Sequence, residues 1–128
     1  MLKGVMTTQP TRAVELQKRL ICFAAKIVGL CSKLHETPEA RHISNQLLRC
    51  GTATAANYGE ARGAESRSDF VHKLRVVLKE LNETEVWLEL IEHTSLLSAD
   101  ITAPIVAENR ELCRIIAASI KTARGTET

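Results

Sequence analysis

A chain of 128 residues with 45% hydrophobic content has the size of one domain and enough apolar material for a core without disulfides or metal. Aromatic content is only 3% (Phe23, Tyr58, Phe70 and Trp87), which excludes a broad base-stacking platform and suits closely packed aliphatic helices. A formal charge of +2 excludes a polycation.

The first ten residues carry one Lys and no long apolar run, so no secretory signal is expected. The first predicted helix runs from about Thr11 to Leu34, with residues 1–9 before it flexible. Leu16, Leu20, Phe23, Ile27, Leu30 and Leu34 follow a four-three spacing, and Ile21, Ala24, Val28 and Cys31 form a second apolar strip beside them. That face is wider than a two-helix seam needs, which leaves part of it for another subunit. Leu20–Leu34 is also the most membrane-like stretch. It is interrupted by Lys26 and Lys33 and is shorter than the roughly 20 apolar residues of a membrane span. No membrane association and a cytoplasmic location are therefore expected.

Thr37-Pro38 reads as an N-cap followed by proline at the first helical position, opening a second helix over about 38–62. Ile43, Leu47, Cys50, Thr54 and Ala61 mark its inner face. Its centre, Cys50-Gly51-Thr52-Ala53-Thr54-Ala55-Ala56, is made of small residues. Gly51 sacrifices about 1 kcal/mol of helix propensity relative to Ala, which points to a close backbone approach. Gly63 suits a left-handed helix terminus. Ser66 with Asp69 resembles a capping box and opens a third helix over about 66–93, with Phe70, Leu74, Val77, Leu81, Thr84, Leu88 and Ile91 inward. Ser98, Asp100 and Thr102 are rival caps for a fourth helix over about 102–123, with Pro104 expected in its first turn. Ile105, Leu112, Ile116 and Ile120 form its inner face, and 124–128 are expected to be flexible. No segment alternates with period two. The prediction is all-α: one domain, an up-down-up-down antiparallel four-helix bundle.

No reaction is spelled out. Glu39-Ala-Arg-His42 and Asp69-Phe-Val-His72 approach the Glu-x-x-His pattern of di-metal bundles, but they start antiparallel helices and fall at opposite ends, off the core stripes. No metal site, cofactor, phosphate loop or activated nucleophile is expected, so the chain is not read as an enzyme. Cys22, Cys31, Cys50 and Cys113 lack a CxxC pair and are expected to be buried, reduced thiols. Asn57 and Glu60 sit near the core stripe of the second helix and need polar partners, for which Arg49, Lys73, Glu80 and Thr84 are candidates.

Charge is uneven. Arg12, Arg19, Lys26 and Lys33 recur every seven residues on the first helix, while Arg110, Arg114, Lys121 and Arg124 line the fourth. Glu80, Glu83, Glu85, Glu89 and Glu92 crowd the third helix. One reading is a set of solvated faces that neutralise one another. The other is a basic surface for phosphates, with Arg12, Arg19, Lys26, Lys33, Arg110 and Arg114 as contact residues.

Gln46-Leu47-Leu48-Arg49, Ala55-Ala56-Asn57-Tyr58-Gly59-Glu60-Ala61, Ser66-x-x-Asp69-Phe70-x-x-Lys73-Leu74 and Leu78-Lys79-Glu80-x-x-Glu83-Thr84-x-x-Trp87-Leu88 resemble the bacterial four-helix bundle family of 23S rRNA intervening-sequence proteins, also called S23 ribosomal proteins. The resemblance covers almost the whole chain and is strongest from Ile43 to Ile91. It implies an antiparallel bundle, a homopentameric ring, no enzymatic activity, and RNA or other nucleic acid as the usual proposed ligand. More distant relatives serve as accessory subunits of a reverse transcriptase in diversity-generating retroelements, so a protein–protein adaptor is the alternative. The family pattern marks Arg49, Asn57, Glu60, Asp69, Phe70, Lys73, Glu80 and Glu83 without a catalytic role, and the polar members are expected as a buried cluster. The run Cys50-Gly51-Thr52-Ala53-Thr54 departs from the commoner form of the motif.

Overall fold

A computed structural model describes residues 11–125. Four helices follow one another: α1 (Arg12–Cys31), α2 (Pro38–Arg62), α3 (Arg67–Thr94) and α4 (Ala99–Gly125). Each packs against its chain neighbours, and α1 closes the ring against α4, so the described residues form an all-α antiparallel four-helix bundle with no strand.

The starts of the first three helices follow local chemistry. The hydroxyls of Thr11, Thr37 and Ser66 accept from the amides of Val14, Ala40 and Asp69, each at 3.1 Å. Pro38 opens α2, where its missing N–H costs nothing. The fourth start differs from expectation. α4 begins at Ala99, where the Ser98 carbonyl accepts from Ile101 and Thr102. Pro104 therefore lies beyond the first turn and leaves the exposed Asp100 carbonyl without its helical donor, a loss that water can make good. Thr102 does not cap. It is fully buried and donates to Glu92 at 3.2 Å, because the helix periodicity turns it toward α3.

Two further helix ends depart from the sequence reading. α1 ends at Cys31 rather than Leu34, although Leu34 still enters the core. Gly63 is not left-handed (φ −96°); its amide tightens the last turn of α2 by donating to Glu60. The left-handed residue is Ser95 (φ 58°), which ends α3. Residues 1–9, expected to be flexible, and 126–128 lie outside the described residues, whereas Arg124 and Gly125 belong to α4.

The core is aliphatic, with Leu20, Ile27, Leu47, Leu74, Leu81, Leu88, Leu112 and Ile116 essentially inaccessible and Phe23 the one large ring among them. Gly51 marks a close approach of α1 and α2. A Cβ there would lie 2.8 Å from Ile27 Cγ2, so the small-residue centre of α2 is what lets α1 approach. Cys31 and Ser44 lock the other end of this seam: each side chain donates to the other's carbonyl, at 3.4 and 3.2 Å.

Candidate nucleic-acid interface

The polar residues marked by the family pattern share one location, the outer seam between α2 and α3. Lys73 Nζ donates to Glu60 at 3.0 Å. Arg49 pairs with Glu80 at 3.6 Å and with Glu83, whose carboxylate also accepts from Trp87 Nε1 at 3.1 Å. His42 stands edge-on to the Trp87 ring, with centroids 5.9 Å apart. Asn57 turns back onto its own helix and donates to the Ala53 carbonyl at 2.9 Å.

Two expectations about this cluster need correction. It is not buried within the chain: the side chains of Arg49 and Glu60 are 52% and 59% exposed, and Asn57, Asp69, Lys73, Glu80 and Glu83 are partly exposed. Long charged side chains reach from the seam to solvent and bury only their stems. Nor does Thr84 serve Asn57 or Glu60; it is fully buried and donates to Cys50 Sγ at 3.3 Å and to the Glu80 carbonyl at 2.8 Å.

The buried amide is instead Asn109, which sequence reasoning missed. It is fully buried between α4 and α3 and donates to the Leu81 carbonyl at 3.0 Å and to Glu85 at 3.3 Å, while its own oxygen finds no donor. The signal was present: 105, 109, 112 and 116 continue the inner spacing of α4, but Asn109 lies between two charged residues and reads as surface. The cysteines also divide. Burial pushes the Cys31 and Cys50 thiols up from their ordinary range, which keeps them protonated and unreactive, whereas Cys22 is exposed and Cys113 half-buried, against expectation.

The basic candidates separate into engaged and unengaged groups. Arg19 grips Glu108 with two hydrogen bonds of 2.7 and 2.8 Å across the α1–α4 seam. Arg110 bonds Glu85 at 2.7 Å and lies 3.7 Å from Glu89, and Arg114 holds Glu111 at 2.7 Å. Arg12, Lys26 and Lys33 form no ion pair within the described residues.

The fork between Arg19 and Glu108 has a measurable consequence. The guanidinium holds the Glu108 carboxyl below its usual range, against the opposing effect of burial. Protons therefore bind the unfolded chain more tightly than the folded one at this position. Urea stability is expected to be flat from neutral pH to the ordinary carboxylate range, then to fall as pH drops through the lowered Glu108 value. Glu108→Gln should flatten that acid limb, and an identical pH profile in the variant would contradict the assignment.

Assembly of the bundle reveals a charge pattern that no single helix displays. The antiparallel topology brings residues 11–21, 51–80 and 112–125 into one half, which holds eleven Lys and Arg against five Asp and Glu. The other half, 22–50 and 81–111, holds five against nine. The bundle is thus positive at the end bearing the α1 N-terminus and negative at the opposite end. Among the described residues, Arg12, Lys18, Arg62, Arg75, Lys121 and Arg124 in the positive half have no carboxylate within salt-bridge distance.

The described residues contain no cluster of three or more His, Cys, Asp or Glu able to hold a metal, and no helix long and apolar enough to cross a membrane. Fold and surface together define a helical-bundle protein with an axially polarised charge and a structured α2–α3 seam. The chain belongs to the family of 23S rRNA-intervening sequence proteins, which it matches over residues 12–118. It is also similar to a crystal structure from Bacteroides thetaiotaomicron, a protein of unknown function from the S23 ribosomal protein family. The two share 37% identity with a TM-score of 0.79, over 83% of this chain and 98% of the other. The curated proteins contain no match.

Proposed function

We propose that this protein is a non-catalytic, self-associating bundle of the cytoplasm that binds RNA through its basic end and the adjoining face of α1. The observation that carries this reading is the axial charge separation, with six cations that have no ion pair among the described residues in one half. Arg12 belongs to that end, whereas Lys26 and Lys33 lie on or just beyond α1 in the opposite, negative half and are the weaker candidates. Arg19, Arg110 and Arg114 contribute only by exchanging a carboxylate for a phosphate, so Arg62, Lys121 and Arg124 are the stronger contacts. The family's link to an rRNA intervening sequence agrees with such a ligand.

Self-association draws on a different surface. Ile21 and Val28 on α1 are 54% and 49% exposed, and Leu48 on the neighbouring α2 is 38% exposed. Covering this strip with a second copy removes apolar area from water. In a ring of such copies, as the family's pentamers suggest, with the bundle axes parallel to the ring axis, every basic end faces the same way and their fields add. Sedimentation at micromolar concentration is expected to show an oligomer, and a monomer would rule the assembly out.

The binding test is a salt series with labelled RNA. Each phosphate contact contributes about −0.7 to −0.9 to the slope of log affinity against log salt, so several contacts give a steep line. Charge reversal at Arg62 and Arg124 together is expected to weaken binding and make the line shallower. Affinity that is flat with salt, or unaffected by that double reversal, contradicts the reading.

A further inference from the structure

The basic end also carries a cleft. α1 and α4 touch less extensively than the other neighbouring helices, and between the first turns of α1 and the last turns of α4 a gap of about 700 Å³ remains. Small side chains keep it open on the α4 side, where Ala118 and Ser119 face Ala13 and Leu16. Tyr58 and Phe70 form its inner wall, Arg12 stands at its mouth, and a smaller recess continues past the same two rings to Arg62. Half of the chain's four aromatic residues therefore meet at the positive end, although they come from different helices.

Tyr58 gives this cleft a polar group on its apolar wall. The residue is only 5% exposed, and its hydroxyl makes no hydrogen bond among the described residues, yet it lines both the cleft and the recess. Its ring is buried while its hydroxyl remains open to the solvent of the cleft, beside Phe70 and two arginines that form no ion pair among the described residues. Apolar rings, one hydroxyl and flanking cations match three features of a nucleotide: the flat face of its base, the base's polar edge and the phosphate. The volume lies within the range of about 300–1,000 Å³ of pockets that hold small organic ligands.

We propose that this cleft receives one unpaired nucleotide of the bound RNA, its base against Phe70 and Tyr58, a polar edge on the Tyr58 hydroxyl, and neighbouring phosphates at Arg12 and Arg62. The proposal rests on the RNA reading above and sharpens it: the preferred ligand is a single strand or a bulged strand, not a continuous duplex, whose bases stay stacked inside the helix. Few aromatics are needed for this, because one base is held rather than a run of them.

Fluorescence anisotropy with a labelled single-stranded RNA of about 12 nucleotides, and with a duplex of the same length, tests it directly. Single strand is expected to bind about tenfold tighter than duplex at equal salt. Phe70→Leu, which keeps an apolar side chain but removes the ring, should weaken single-strand binding about tenfold while leaving the salt slope and the duplex affinity unchanged. Tyr58→Phe removes only the unpaired hydroxyl and leaves the packing intact, so it tests the site even if Phe70→Leu folds poorly; it should weaken single-strand binding alone. Equal affinity for the two RNAs, or single-strand binding unchanged in both variants, overturns the nucleotide site and leaves the RNA reading standing. Absence of binding to either RNA overturns both.

Discussion

Truncation of Leu81 to Ala is expected to destabilise the bundle by about 2–5 kcal/mol, the range for a buried leucine that leaves a cavity. Leu81 lies at the middle of α3, is fully inaccessible, and belongs to the apolar core cluster that also holds Leu74, Val77 and Leu112. The helices around it are held by their own backbone ladders and cannot close in on the gap without moving as rods, so relaxation recovers little. Leu74→Ala, at an equally inaccessible position one heptad earlier, should behave alike. Val86→Ala is the control. Val86 is 62% exposed on the same helix, and its truncation should change stability by less than about 0.5 kcal/mol. Urea denaturation followed by circular dichroism reads all three. Near-neutral effects at Leu74 and Leu81 would contradict the core as described.

The second large effect is of opposite kind. Gly51→Val should cost about 3 kcal/mol, at the upper end of the range for overpacking a core. The first added carbon already lies 2.8 Å from Ile27 Cγ2 and 3.0 Å from Ile27 Cγ1, and valine adds two methyls beyond it. Ile27 is itself fully buried, so it has nowhere to turn, and α1 must separate from α2. Gly51→Ala exposes the conflict more finely. Helix propensity favours alanine by about 1 kcal/mol, and the contact with Ile27 opposes it. A variant stabilised by that full amount would show the approach to be slack. Ile27→Ala should rescue part of the Gly51→Val loss, and the coupling in the double-mutant cycle measures the contact.

Much of this architecture was legible in the chain itself. The four-three apolar spacing, Thr37-Pro38 and the Ser66 cap locate the helices because each acts within one or two turns. Gly51 announced a close approach for the same reason: a costly residue inside a helix needs an explanation nearby. The seam pairs were partly legible too, since Lys73 was a candidate partner for Glu60. Where the reading failed, the missing information was non-local. Position 102 turns inward because of what α3 presents opposite it, which leaves Ser98, among the rival caps, as the residue that precedes the helix. Gly63 was assigned a conformation that belongs to Ser95. Asn109 hides between charged neighbours although its register is that of the core. Arg49, Glu83, Trp87 and His42 form one network from two helices, and no spacing within either helix discloses it.

The same division runs through the candidate site. Sequence order displayed basic stripes on α1 and α4, because charge recurring every seven residues is a property of one helix. It did not reveal that Arg19, Arg110 and Arg114 are matched to carboxylates on facing or adjacent turns. Nor did it reveal that Arg12, Lys18, Arg62, Arg75, Lys121 and Arg124, from four helices, share one half of the bundle. By itself, then, the sequence determined the number of helices, their inner faces, the tight centre of α2 and the family. Only the tertiary structure decided which charges cancel, which end of the bundle is positive, and that Tyr58 and Phe70 meet Arg12 and Arg62 across a cleft. The reason is physical: capping and amphipathic periodicity act over a few residues, whereas electrostatic fields and cavities depend on distances between residues that the antiparallel fold alone brings together.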